Sequence, residues 1–186
     1  MTKQQKKIIV VDDNNANLTA CKNILKPYFE VFPVPTAEKM FELLEHIMPD
    51  LVLLDVDMPD VNGYEAAGRM KKNDKFKGIP IIFLSGRIDP KSEMFGLNMG
   101  ALDYIHKPFV SELLLRRIEI HLSLIDYQKL LEERNRSIQE IAAPLKEISG
   151  MFTEVMDTDD SGKIKDCLNR AGGIVKDLLA KMNNPP

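Results

Sequence analysis

PDLVLLDVDMPDVNGYE, residues 49 to 65, sets a continuously apolar run, LVLL, directly before an acidic residue, Asp55, and a helical pattern takes over from residue 64. A run without polar alternation is what a strand covered on both faces requires. Similar runs recur as IIVV before Asp12 and Asp13 and as IIFL before Ser85. Outward from this centre, residues 7 to about 110 alternate β-branched runs with longer helical patterns. The order is KIIVVD, then 15 to 26; EVFPV, then 36 to 47; DLVLLD, then 64 to 73; PIIFLS, then 90 to 99; and DYIH. Five alternations predict an α/β domain built on a doubly wound, five-stranded parallel sheet, with ligands bound at the carboxyl ends of the strands.

The 186 residues suit one ordinary domain with an extension, and 44% hydrophobic content suffices for a packed core. A net charge of -3 gives no general reason to expect nucleic acid. Cys21 and Cys167 lack the paired spacing of a metal site or disulfide framework, so plain thiols in a reducing compartment are expected. The apolar run Ile8 to Val11 is too short for a signal-peptide core, and nowhere do about 18 apolar residues run together. A cytoplasmic protein that crosses no membrane is the expectation.

After Pro108 the pattern turns helical. Nothing breaks it from Ser111 to about Glu133, and charges gather in LEERNR as on a solvated connecting helix. Ile138, Ile141, Leu145, Ile148, Phe152 and Val155 then recur at steps of three and four. Ile164, Leu168, Ala171, Val175, Leu178 and Met182 do so after the turn-like DTDDSG. This describes a helical hairpin with one apolar seam on each arm. Two such arms are too small to bury their seams alone, so dimerisation into a four-helix bundle is expected, with packing on the chain's own α/β domain as the alternative.

Four of the expected strands bring chemistry to one sheet edge. Asp12, Asp13 and Asp55 converge there, and clustered carboxylates repel unless a cation neutralises them. A lone strand-end Asp is more often a helix cap, and the convergence is what raises the metal reading. Hard oxygen ligands favour Mg2+. Ser85 and Lys107 fall at the same edge. A hydroxyl, an ammonium and a divalent cation together suit phosphoryl transfer, with a carboxylate as nucleophile.

VVDDNNANL, PDLVLLDVDMPDVNGYE, IIFLSG and DYIHKPF, with Ser85 30 residues and Lys107 52 residues after Asp55, resemble the receiver domain of two-component response regulators. The resemblance covers residues 7 to about 120 and implies a flavodoxin-like receiver at 1–120. It implies Asp55 as phosphoacceptor, with Asp13 a direct Mg2+ ligand, Asp12 acting largely through water and the Asp57 backbone carbonyl completing the protein's share of the metal shell. It further implies Ser85 and Lys107 on the phosphoryl oxygens, Tyr104 as the aromatic that turns inward on activation, and a cis peptide at Lys107-Pro108. The Asp57 side chain is a fourth carboxylate at a position where the family tolerates many residue types. His106 reads as a strand residue, His46 and His121 as surface or packing residues, and Met94 and Met99 as packing residues.

QEIAAPL, residues 139 to 145, resembles more weakly the dimerisation and histidine-phosphotransfer hairpin of sensor histidine kinases. Glu140, Ile141, Pro144 and Leu145 match its motif, but Gln139 replaces the phosphoacceptor histidine, and an amide is no phosphoryl nucleophile. Ala142 and Ala143 replace a basic and a polar residue, and Pro144 sits where that family kinks its helix. The expected organisation is thus receiver 1–120, helical connector 121–136, and a non-catalytic dimerisation hairpin 137–186, with an ordinary coiled-coil extension as the alternative.

The expectation is a response regulator rather than an enzyme, phosphorylated by a histidine kinase or phosphotransfer protein and acting through protein-protein interaction as a homodimer. The alternative is the front part of a longer signalling enzyme, a hybrid kinase, cyclase or phosphodiesterase. A DNA-binding output is disfavoured by the acidic hairpin, which has no helix-turn-helix pattern.

Overall fold

The computed structural model describes residues 5–86, 89–157 and 159–183, with side chains to residue 180. Thr158 in the expected turn and the Met182 side chain in the expected seam lie outside the described residues. The strands are β1 (Lys7–Val11), β2 (Glu30–Val34), β3 (Leu51–Asp55), β4 (Ile81–Ser85) and β5 (Asp103–His106). The helices are α1 (Asn15–Leu25), α2 (Ala37–Leu44), α3 (Gly63–Lys72), α4 (Pro90–Asn98), α5 (Ser111–Met156) and α6 (Ser161–Asn183). All strand pairs are parallel, in the order β2-β1-β3-β4-β5. The expected doubly wound α/β fold with a helical extension is therefore present.

Alternation along each central strand sends neighbouring side chains to opposite faces. Ile9, Val11, Val52, Leu54, Ile81 and Phe83 pack on one side with Met40, Leu44, Ala66 and Met70 of α2 and α3. Ile8, Val10, Leu51, Leu53, Ile82 and Leu84 pack on the other with Leu18, Cys21 and Leu25 of α1 and Leu114, Ile118 and Leu122 of α5. Each fully buried residue of this kind contributes about 1.5–3 kcal/mol of transfer free energy, which a polar residue inside these runs would forfeit.

The helices α1 to α4 begin at capping residues. Asn14 accepts from the Ala16 amide at 2.8 Å, Asn62 from Glu65 at 2.9 Å, Thr36 from Lys39 at 3.2 Å and Asp89 from Ser92 at 3.1 Å. Each side chain satisfies an amide that the first turn leaves without a carbonyl, so the helices start just after the strand ends that carry the site.

The chain divides into two compact units, Met1–Leu124 and Ile125–Pro186. α5 is one helix of 46 residues, without a break where the connector was expected to hand over to the hairpin, and it contains Pro144. Within the second unit, Met151, Cys167 and Ala171 are buried, and Cys167 Sγ lies 4.0 Å from Glu154 Oε2. Leu145, Phe152, Leu168 and Val175, which the periodicity places in the seams, are 54, 55, 53 and 44% exposed. Of the expected seams Ala171 is buried, and Met151 and Cys167, which the periodicity did not include, are buried with it. The arms are apolar over a wider arc than one neighbour covers, and periodicity alone does not say which part of a wide arc is used. Among the described residues no helix is long and apolar enough to cross a membrane.

Candidate phosphoacceptor and metal site

Strand register assembles the site. Val11 pairs with Leu54, so Asp12 and Asp55 follow at neighbouring places on the carboxyl edge. Asp55 pairs with Leu84 and Ser85 with His106, so Ser85 and Lys107 continue the same edge. The Lys107 amide donates to the Ser85 carbonyl at 2.7 Å, and the Lys107-Pro108 peptide is cis.

Ligand oxygens of Asp12, Asp13 and Asp55 lie within 4.8 Å of one another. Asp12 and Asp55 are buried and Asp13 is exposed. The Lys107 ammonium reaches Asp12 Oδ2 at 2.6 Å and Asp55 Oδ2 at 2.8 Å. Asp12 Oδ1 accepts from the Asn14 amide at 2.9 Å and the Asn17 side-chain amide at 3.0 Å. Its other oxygen, Oδ2, is buried against the Lys107 ammonium, its charge partner.

Electrostatics follow from burial and charge count. Burial raises the Asp55 carboxyl above its ordinary pKa; Lys107 works against this and the Asp12 charge adds to it. Burial also opposes the Lys107 charge, but the Asp12 and Asp55 carboxylates outweigh it and leave that pKa raised. Three carboxylates against one ammonium are an excess of negative charge. That excess, at carboxylate oxygens clustered within 4.8 Å, fits a hard divalent cation held by carboxylates and water. Cys21 stands by as an inert thiol, its pKa pushed up to about 12 by burial and then by Asp12.

Tyr104 is turned inward, 2% exposed. Asp57 is exposed, and its amide lies 3.3 Å from Asp55 Oδ1. Ser85 is buried at the end of β4. The fold brings together more than the sequence reading named. Asn17 orients Asp12, and a polar residue one helical turn inside α1 was the available sign. Gly63 packs so tightly that an added Cβ would lie 2.2 Å from the Asp55 carbonyl oxygen. His121, read as a surface or packing residue, has Nε2 3.2 Å from Asp103, which Arg117 also grips with two 3.0 Å contacts. His106 lies 3.6 Å from Glu93 of α4.

A five-stranded parallel sheet with this acidic edge and a lysine after its last strand defines a phosphoacceptor signalling domain. Residues 8–119 match the response regulator receiver domain, and the chain belongs to that family. Receiver domains accept phosphoryl groups in two-component signalling, bind Mg2+ through an acidic pocket and interact with histidine kinases or phosphotransfer proteins.

Among curated proteins, a probable cyclic di-GMP phosphodiesterase of Vibrio cholerae is 36% identical over 115 residues, 62% of this chain and 26% of that protein. The sensory transduction protein BceR of Halalkalibacterium halodurans is 31% identical over 114 residues, 61% of this chain and 48% of that protein. The chain thus spans less than half the length of either relative. Among solved structures, the BeF3-activated DrrB receiver domain is 32% identical with a TM-score of 0.59, covering 64% of this chain and 99% of that one. A CheY-like receiver domain protein from Methanospirillum hungatei is 31% identical with a TM-score of 0.62, covering 67% and 99%.

Proposed function

We propose that Asp55 accepts a phosphoryl group from the phosphohistidine of a histidine kinase or phosphotransfer protein, and that the second unit delivers the output by protein-protein association. The observation that carries the first part is the meeting of Asp12, Asp13, Asp55 and Lys107 at one sheet edge.

A carboxylate oxygen of Asp55 attacks phosphorus, the new O–P bond forms as the P–N bond to the donor imidazole breaks, and the imidazole nitrogen leaves with the electron pair. Asp13, Asp55 and the Asp57 backbone carbonyl would hold Mg2+ directly and Asp12 largely through water, and the ion would supply positive charge for the phosphoryl oxygens. Lys107 and the Ser85 hydroxyl bind those oxygens, so Lys107 exchanges its present carboxylate partners for the new group. The Asp57 side chain is exposed beside the acceptor. The chain performs no turnover beyond its own phosphorylation and dephosphorylation.

The added charge of about -1.5 to -2 biases a rearrangement read through Ser85 and Tyr104. The organisation is a receiver at 1–120, a connector at 121–136 and a hairpin at 137–186. Glu140, Ile141, Pro144 and Leu145 support reading the hairpin as a kinase-type dimerisation hairpin without its histidine, because Gln139 stands in that place. Ile138, Ile141, Leu145 and Phe152 on α5 with Leu168, Val175 and Leu179 on α6 remain exposed, which supports a homodimer closed by a second hairpin in a four-helix bundle. The protein acts in the cytoplasm and not on nucleic acid.

Radiolabelled phosphoryl transfer to the full chain tests the acceptor: Asp55→Asn abolishes labelling, and undiminished labelling refutes the assignment. Light scattering with Mg2+, before and after beryllofluoride, tests the output. A dimer whose mass responds to the mimic supports it, and a monomer in both states sinks it.

A second reading draws on the Vibrio cholerae relative, of which the match covers 26%: the receiver governs an enzymatic output domain on a longer chain. The length of the native reading frame separates the two.

A further inference from the structure

Tyr64, the second residue of α3, occupies a junction that the proposed chemistry at Asp55 does not use. Its hydroxyl lies 3.1 Å from the Tyr104 hydroxyl and donates to the Ser92 carbonyl of α4 at 3.0 Å. A phenol has a single proton. With Tyr64 donating to Ser92, the Tyr104 hydroxyl must be the donor to Tyr64, so the three groups form a directed chain from Tyr104 through Tyr64 to α4.

Ring contacts reinforce the chain. Tyr64 meets Phe83 of β4 edge-on at 5.0 Å and Phe95 of α4 at 5.1 Å, geometries that aromatic pairs favour. α4 lies close here, since a Cβ on Gly96 would come within 2.9 Å of Phe83 and 3.3 Å of Tyr104. The other end of the lever is equally fixed. Gly63, next in sequence to Tyr64, donates its amide to the Val56 carbonyl at 3.0 Å and packs on the backbone of Asp55. Tyr64 is thus one peptide unit from Gly63, which packs on the acceptor's own strand end, and is joined by hydrogen bonds to both Tyr104 and α4.

We infer that Tyr64 is a positioning residue of the switch: its hydroxyl holds Tyr104 inward and ties it to the first turn of α4, so that occupancy at Asp55, Tyr104 and α4 respond together. Burial raises the Tyr64 phenol above its ordinary pKa, with the Tyr104 contact adding to it, so the chain keeps its protons at neutral pH. The inference rests on the reading of Tyr104 as the switch aromatic, and Tyr64 acts through Tyr104 rather than on the phosphoryl group.

Tyr64→Phe keeps the ring and removes the hydroxyl. In the full chain, amide hydrogen exchange of α4 should become roughly three- to tenfold faster while β1 and β3 keep their protection, as expected for loss of one hydrogen bond. Beryllofluoride with Mg2+ should bind roughly three- to tenfold more weakly, because the occupant must then supply the ordering of Tyr104 itself. Tyr104→Phe should give the same exchange change, and the double variant no more than either single one, since one chain is cut in both.

Unchanged α4 exchange, additive single effects, a loss of protection spread over β1 and β3, or faster α4 exchange with unchanged beryllofluoride affinity would each overturn the inference. If the unsubstituted chain fails to bind beryllofluoride, the assignment of Asp55 falls instead. The exchange data on the three variants then still decide whether Tyr64 ties Tyr104 to α4.

Discussion

Asp12 divides its two oxygens between different duties. Oδ1 is held by Asn14 and Asn17, which fixes the plane of the carboxylate, while Oδ2 faces the Lys107 ammonium. Removing the Asn17 amide leaves that plane less constrained. Asn17→Ala should lower stability by about 1–2 kcal/mol in urea titrations, and Mg2+ affinity followed by fluorescence or calorimetry should weaken several-fold. Asp55 allows a test with a definite sign. Its pKa is raised in the folded chain, so the folded state binds the proton more tightly than the unfolded state. The Asp55 contribution to stability is therefore fully present below the unfolded carboxylate value and is lost as pH rises through the folded one. In Mg2+-free buffer, Asp55→Asn should be more thermostable than the parent at pH 7. The advantage should shrink as pH falls through the raised Asp55 pKa and level off below the ordinary carboxylate value. An advantage that grows on acidification would contradict the sign.

At the scale of elements, the start of α3 and the middle of α5 are the informative places. Gly63 has backbone, not flexible side chain, within 2.2 to 2.9 Å of an added Cβ, so the strand end or the helix must move to admit one. Gly63→Ala should cost about 1–3 kcal/mol in chemical denaturation, with loss of phosphoryl acceptance out of proportion to that figure because Asp55 is the residue displaced. α5 runs through Pro144, which supplies no amide to the Glu140 carbonyl one turn earlier. Pro144→Ala restores that bond and should stabilise the second unit by about 1–3 kcal/mol, seen as slower exchange of amides around residue 140.

At the scale of the whole molecule, the two units pose different physical problems. The first sorts its apolar residues onto two faces of a sheet and covers both. The second leaves Ile141, Leu145, Phe152, Leu168, Val175 and Leu179 between 42 and 55% exposed, a stripe that two helices alone do not close. A homodimer would cover it. Leu145→Asp combined with Val175→Asp should halve the solution mass of a dimer in light scattering, because each interface would bury unpaired carboxylates, while phosphoryl acceptance at Asp55 stays unchanged. Loss of acceptance with no change of mass would separate the hairpin from self-association.

The fold was legible because its evidence is local. Continuous apolar runs such as LVLL and IIVV, each closed by a carboxylate, identify buried strands and the edge on which Asp12, Asp13 and Asp55 meet, since a parallel sheet aligns like ends. Lys107 was legible from its place after the fifth strand, and the starts of α1 to α5 were within about a residue. What periodicity by itself could not settle was which part of a wide apolar arc is buried: Met151 and Cys167 are inside while Leu145 and Phe152 are exposed. Nor could it bring Asp103 to Arg117 and His121, or Tyr64 to Tyr104 across a separation of 40 residues. Those meetings depend on how α3, α4 and α5 lie against the sheet. That choice is made by side-chain packing between distant segments, whereas strand and helix identity is made by the spacing of residues along the chain.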